Sequence, residues 1–291
     1  MYERAVTDYN LYALDLPSSS RGLSAAQSLF APSTRDEMDP QFSPDGRKVA
    51  FASDRSGISA IWVGDRDGSN IAQLTNVPEC IAGSPRWSPD SMRLAFDCSA
   101  HGNFDIYVIS AGGGPARRFT ADVSQEVLPS WSHDGRWIYF SSNRSGVWQV
   151  WKAQAVGDSA VQVTRGGGYE PFESPDGKLL YYSKESAPGL WSVPVGGGPE
   201  TRVLDSARHF WWAMADTGIY FVSSDRVPRT SIPIQLNFYS FETRTAAPIG
   251  MIEHELPPDT PSLAVSRDGR CLMVIQRDHA GTDLVLVDNF H

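Results

Sequence analysis

Along the chain, apolar positions recur with a period of two rather than 3.6, in short runs closed by turns rich in Gly, Pro, Asp and Ser. The runs after these turns, Lys48-Val49-Ala50-Phe51-Ala52-Ser53, Arg93-Leu94-Ala95-Phe96-Asp97-Cys98 and Trp137-Ile138-Tyr139-Phe140-Ser141-Ser142, are rich in β-branched and aromatic residues and read as strands. Each is preceded by a shorter strand opening on Pro and an aromatic or apolar residue, as in Pro40-Gln41-Phe42, Pro85-Arg86-Trp87, Pro129-Ser130-Trp131 and Pro171-Phe172. A third strand follows at Ala60-Ile61-Trp62-Val63, Asp105-Ile106-Tyr107-Val108, Gln149-Val150-Trp151-Lys152 and Gly189-Leu190-Trp191-Ser192. A fourth is indicated by Ala72-Gln73-Leu74-Thr75, Arg117-Arg118-Phe119-Thr120 and Val161-Gln162-Val163-Thr164.

This unit repeats. Ser43-Pro44-Asp45-Gly46 returns as Ser88-Pro89-Asp90-Ser91, Ser132-His133-Asp134-Gly135 and Ser174-Pro175-Asp176-Gly177, with degenerate copies at Ala215-Asp216-Thr217-Gly218 and Ser266-Arg267-Asp268-Gly269. The six aspartates stand 45, 44, 42, 40 and 52 residues apart. In each turn Pro presets φ, Asp bonds the backbone ahead of it, and Gly accepts positive φ, so these aspartates read as structural. Four strands per repeat of this length predict a β-propeller, because one blade cannot bury both faces and its neighbours must stack on it. The fold class is therefore all-β, a propeller of six four-stranded blades. A seven-bladed ring with one incomplete blade is the alternative, with Tyr2 to Leu16 supplying the extra strands. The expected organisation is one domain over 1–291, with N-terminal strands in 1–35 closing the ring and six repeats in 36–291. In that closure Gln27-Ser28-Leu29-Phe30 forms the fourth strand of the last blade, after a third strand at Thr282–Val287.

The string Pro-x-Trp-Ser-Pro-Asp-Gly, then Phe-x-Ser, Arg-x-Gly and Ile-Tyr/Trp-Val, resembles the TolB-type or WD-like propeller repeat, strongly over residues 36–200. Beyond that, Trp211-Trp212-Ala213-Met214-Ala215-Asp216 lacks the Ser-Pro, and an insertion around Val227 to Gln235 stretches the spacing. The resemblance implies a propeller that binds other proteins, as the periplasmic TolB component of the Tol-Pal system does. Similar propellers serve as sensor domains of bacterial regulators and as gating domains of oligopeptidases, which leaves room for an N-terminal domain in a longer parent chain.

Composition narrows the function classes. With 25 Lys+Arg against 34 Asp+Glu the formal charge is −9, which argues against a nucleic-acid surface. No run approaches the length of a membrane-spanning helix, and the first residues lack the pattern of a signal peptide. As written the chain is expected to be cytoplasmic, and periplasmic if cut from a longer exported or anchored one. Cys80, Cys98 and Cys271 are odd in number and widely spaced, indicating neither a disulfide framework nor a zinc site.

Propellers place ligands at a mouth of the central channel, near the start of each innermost strand. There stand Glu37 and Asp39, Glu79, Glu126, Tyr169 and Glu170, and Asp259, with His209 and Trp211 in the aromatic-rich fifth copy. Five of the six copies thus place a carboxylate near one mouth, an acidic rim suited to a cation or a basic protein or peptide partner. The six histidines show no HExxH spacing and no GxSxG elbow is present, so no catalytic residue is assigned. The expected function is a non-enzymatic interaction or sensing module without a cofactor. The alternative is a hydrolase or lyase acting on a carbohydrate or peptide through a divalent cation in the channel, with His209 among its ligands.

Overall fold

A computed structural model describes residues 2–16, 27–100, 102–157, 159–223, 233–253, 255–257 and 260–285; of 2–8, 27 and 278–285 the backbone alone is described. It contains six antiparallel four-stranded sheets and, among the described residues, no helix. The innermost strands of blades 1 to 6 are Glu37–Phe42, Ala82–Trp87, Glu126–Trp131, Tyr169–Glu173, Ala207–Ala215 and Leu263–Val265. Each touches the next, and the sixth touches the first, so the blades form a closed ring. This is the expected six-bladed propeller, and the seven-bladed alternative is not adopted.

Ring closure differs in detail from the expected one. The sixth sheet runs, from inside to outside, Leu263–Val265, Cys271–Val285, Tyr2–Asp15 and Gln27–Phe30. Thr282 to Val285 is thus not a third strand but the continuation of the second, paired against Tyr2 to Ala5. The third strand is Tyr2–Asp15, so Tyr12 shares its blade with Asp268 from the other end of the chain. A bulge between Asp8 and Tyr9 makes room for the long ribbon.

The apolar alternation is spent on the interfaces between blades. Among the described residues the core divides into six clusters, one per interface: Phe96 and Tyr107 face Ile61 and Ala50 between blades 1 and 2, and Phe140 and Trp131 face Ile106 between blades 2 and 3. Tyr182 and Trp191 pack on Tyr139, Trp212 and Phe221 on Tyr181, Leu272 and Val274 on Trp211 and Leu236, and Phe51 and Phe42 on Leu11 and Met273. Cys98 lies in the first of these clusters and is joined to Cys80 by a disulfide, Cα atoms 5.5 Å apart, which the sequence spacing did not indicate. Cys271 is a buried free thiol.

The repeated turn is one hydrogen-bonded device used five times. The hydroxyls of Ser43, Ser88, Ser132, Ser174 and Ser266 donate to Asp45, Asp90, Asp134, Asp176 and Asp268 at 2.5–2.7 Å. Each Ser oxygen also accepts the N–H that opens the second strand, from Lys48, Arg93, Trp137, Leu179 and Cys271 at 2.9–3.0 Å. The residue closing the turn has φ between 58° and 71°, natural for Gly46, Gly135, Gly177 and Gly269 and strained for Ser91. In the fifth copy, with neither Ser nor Pro, Asp216 is instead held by Arg267 of blade 6 at 2.8 and 3.1 Å. Replacing Ser132 by Ala removes both bonds of one turn and is expected to cost about 1–3 kcal/mol, read as a lower urea midpoint with an unchanged denaturant slope.

Candidate functional site

The site begins with an irregularity in the innermost strands. In blades 1 to 5 the pairing of first and second strands slips by one residue or more, between Met38 and Gln41, Gly83 and Arg86, Val127 and Ser130, Tyr169 and Phe172, and Ala207 and Trp212. Within each bulge one residue takes a left-handed conformation: Asp39, Ser84, Leu128, Glu170 and Phe210, φ 49–66°. In four of these five the N–H, outside the ladder, is captured from the preceding blade. Ser84 N donates to Asp39 Oδ2 (2.9 Å), Leu128 N to Asp97 Oδ2 (2.9 Å), Glu170 N to Ser141 Oγ (3.1 Å) and Phe210 N to Glu170 Oε2 (3.1 Å). Thr260, leading into blade 6, donates its hydroxyl to Asp39 Oδ1.

These bonds bring Asp39, Asp97 and Glu170 around the channel with Arg86 among them. The four residues are 7%, 5%, 1% and 4% exposed, respectively. Arg86 donates to its neighbour Pro85 O at 2.9 Å and lies 5.2 Å from the centroid of the Phe172 ring. One guanidinium thus serves three buried carboxylates. Burial, opposed by the hydrogen bonds and by Arg86, raises Asp39 above the usual carboxylate range and pushes Asp97 up to about 6 and Glu170 up to about 7. Glu170 Oε2 accepts from Trp212 Nε1 at 2.6 Å as well as from Phe210, whereas Oε1 is buried without a partner.

Asp39 and Asp97 open upward into a cavity of about 420 Å³ at the mouth, walled by Met38, Ile81, Leu128, Tyr169 and Phe210 among others. Aromatic rings gather on one side: Trp148, His209 and Phe210 lie 5.1, 6.2 and 5.7 Å from Tyr169, centroid to centroid. The loops of the same face expose Ile58, Ile81, Val123 and Val147.

The remaining sequence-derived positions lie elsewhere. Glu37 and Glu126 are fully buried and paired with Arg55 (2.8 Å) and Arg144. Each arginine also covers two rings, Phe51 and Trp62 or Phe140 and Trp151, at 4.8–5.7 Å. These matching clamps tie the loop after the second strand to the start of the first, and neither glutamate lines the mouth cavity. Glu79 is exposed on the loop from blade 1 to blade 2, outside that lining. Trp211 is buried between blades 5 and 6, donating to Pro257 O at 2.9 Å with Arg208 stacked on its ring. Asp259 lies outside the described residues. Among the described residues no three His, Cys, Asp or Glu side chains converge as a set of metal ligands, and no helix is long and apolar enough to cross a membrane.

Two central groups, Asp97 and Arg86, were absent from the sequence-derived set. Their signal was present: each is a charge inside a strand whose counterparts in other copies are small or neutral, Ala52 and Ser141 for Asp97, Gln41 and Ser130 for Arg86.

A closed ring of six blades around an acid-floored mouth defines a β-propeller with an axial pocket. A family model described as the TolB beta propeller domain matches residues 7–204, and the chain belongs to that family. Among curated proteins it is 33% identical over 153 residues to the uncharacterised protein Atu1656 of Agrobacterium fabrum, covering 51% of each chain. It is 31% identical over 208 residues to the uncharacterised peptidase YuxL of Bacillus subtilis, covering 66% of this chain and 30% of that one. The matches therefore span about half, or less, of these relatives. Among solved structures, a candidate TolB of Agrobacterium tumefaciens superposes with a TM-score of 0.76 at 18% identity, covering 94% of this chain and 99% of that one.

The buried acids set a pH dependence with a definite sign. With pKa values raised on folding, Asp97 and Glu170 hold protons in the native state that the unfolded chain has already lost, so stability falls as pH rises from about 4 to 7. The turn aspartates act oppositely: bonded first of all by their serine hydroxyls, Asp45, Asp90, Asp134, Asp176 and Asp268 are held low, Asp134 at about 2, and their contribution is lost on acidification below about 4. Chemical denaturation across pH is expected to show maximum stability near pH 4–5 and a decline towards pH 8. Glu170→Gln should remove roughly 3 kcal/mol of that decline.

Proposed function

We propose that this propeller is a binding module rather than a catalyst, and that it takes a cationic group of a protein or peptide partner, a lysine or arginine side chain, into the mouth above Asp39 and Asp97. The observation that carries the reading is the imbalance of charge at the channel floor, where three buried carboxylates share Arg86. A second cation entering the pocket beside these buried carboxylates supplies the missing counter-charge, which makes it worth more there than at an exposed acidic rim. The aromatic wall of Tyr169 and Phe210 suits the stem and head of such a side chain. Ile58, Ile81, Val123 and Val147 offer apolar contacts to the residues flanking it.

Binding in this way ionises Asp97 and Asp39, so protons are released and affinity rises with pH. Calorimetric titration with a panel of short Lys- and Arg-containing peptides, in buffers of different ionisation heat, is expected to show binding with proton release that tightens at least tenfold between pH 5 and pH 8. The Asp39→Asn, Asp97→Asn pair should abolish it while leaving the fold intact, since Asn retains an acceptor for the bulge N–H groups. Equal binding by the parent and the double variant, or no binding by any basic peptide, would refute the reading.

A further inference from the structure

A repeat protein carries its own comparison, and one blade interface lacks parts that its neighbour has. Between blades 3 and 4, the Tyr139 hydroxyl donates to Glu173 Oε2 of blade 4 at 2.8 Å. Lys152 lies over the same interface, its Nζ 4.9 Å from the centroid of Trp137 and 5.8 Å from that of Tyr139, bonded to Val195 O of blade 4 at 3.4 Å.

The strand registers identify the matching residues one blade on. Trp131 pairs with Ile138, Glu173 with Leu180, and Met214 with Ile219, so Met214 stands in blade 5 where Glu173 stands in blade 4. Lys152 pairs with Tyr139 and Ser192 with Tyr181, so Ser192 stands where Lys152 does. Between blades 4 and 5 the acceptor has become a thioether and the long covering side chain a hydroxymethyl group.

The consequence is a cleft of about 570 Å³ lined by Tyr181, Ser192, Tyr239, Phe241, Arg202 and Arg244 among others, a size usual for small-molecule sites. Tyr181 is 94% buried, being 6% exposed, and its hydroxyl has no hydrogen-bond partner among the described residues. The groups that act on this hydroxyl electrostatically, Tyr239, Asp176 and Arg244, all line the cleft. Its ring packs on Phe241 at 5.6 Å, and Tyr239 meets Phe241 edge-on at 6.3 Å.

The charges of the cleft are mostly spoken for. Asp216 is held by Arg267, Asp176 by the Ser174 hydroxyl and Lys178, and Arg202 by Asp205 and two backbone carbonyls. Among the described residues Arg244 has no counter-ion. It sits in the turn after the third strand of blade 5, its own N–H bonded to Ser240 O at 2.9 Å.

We propose that this cleft binds a small organic acid whose apolar or ring-shaped body replaces the Lys152-type cover and whose carboxylate replaces the Glu173-type acceptor. The carboxylate accepts from the Tyr181 hydroxyl and pairs with Arg244, and the body lies between Tyr181, Tyr239 and Phe241. The site is independent of the channel mouth and opens on the outer part of the ring.

The test is titration of the intact protein, followed by NMR, with benzoate, cyclohexanecarboxylate and hexanoate, and with benzyl alcohol as the neutral control. The acids are expected to bind in the millimolar range or better, and the alcohol at least tenfold more weakly. Tyr181→Phe and Arg244→Gln should each weaken the acids about tenfold, the first without disturbing ring packing. Ser192→Lys rebuilds the cover and should abolish binding, while Asp39→Asn with Asp97→Asn leaves it unchanged. Thermal melts of each variant confirm that the blades remain folded. Acids that bind no better than the alcohol, or undiminished binding to a folded Ser192→Lys variant, would overturn the proposal.

Discussion

The blades are held in a ring by a constraint on backbone N–H groups. Each of the first five innermost strands bulges where it reaches the channel, and a bulge leaves a donor outside the ladder, in a place water hardly reaches. For four of these bulge residues that donor is satisfied by an acceptor on the blade before, so the interblade contact at the axis is a set of directional bonds rather than packing alone. Three of the acceptors are carboxylates. Placing carboxylates there fixes the register between blades and concentrates negative charge around the channel, and the same requirement makes Arg86 necessary. The acidic floor follows from how the ring is tied together.

That double duty explains why the floor is both costly and usable. An ionised carboxylate accepting one or two N–H bonds in a buried place remains short of solvation, and Glu170 Oε1 has no partner among the described residues. The turns on the opposite end of the ring show the contrary arrangement. There the aspartates are exposed, each bonded by a serine hydroxyl and a backbone N–H, and their carboxyls are held below the usual range. Carboxylates thus do two jobs at opposite ends of the strands: at the outer turns they stabilise the repeat, and at the channel, in blades 1, 2 and 4, they store unbalanced charge.

How much of this was legible depends on whether a feature is local. The Ser-Pro-Asp-Gly turns, the four-strand grammar and the number of blades follow from periodicity that neighbouring residues carry. The assignment of second and third strands in the sixth blade did not, because Tyr2–Asp15 and Cys271–Val285 are paired from opposite ends of the chain and no local signal distinguishes a second strand that runs on from a third strand that begins. Glu37 and Glu126 were placed with Asp39 and Glu170 because they stand near the same strand starts. In a regular strand residues two apart face the same way, but the bulge at Asp39 breaks that alternation and sends Glu37 to Arg55 and Asp39 to Ser84. Asp97 was readable in principle as a charge within an apolar strand, yet its role appears only when the Leu128 N–H of the next blade is in view.

Repetition changes what a deviation means. In a chain without repeats, a Met, a Ser or an Asp in a strand has no expectation to contradict, whereas here the registers supply one for every position. Where the chain keeps the repeat, as in the Glu37–Arg55 and Glu126–Arg144 clamps, the residues hold blades in shape. Where it departs, a group is left needing something the fold does not provide: counter-charge at Asp97 and Glu170, a hydrogen-bond acceptor at Tyr181. Stacked blades tolerate such gaps because each interface has its own apolar cluster, so a loss at one is not passed to the next. A propeller can therefore open a cleft at a single interface by two substitutions, and the departures from its own repeat are the places where binding chemistry is to be sought.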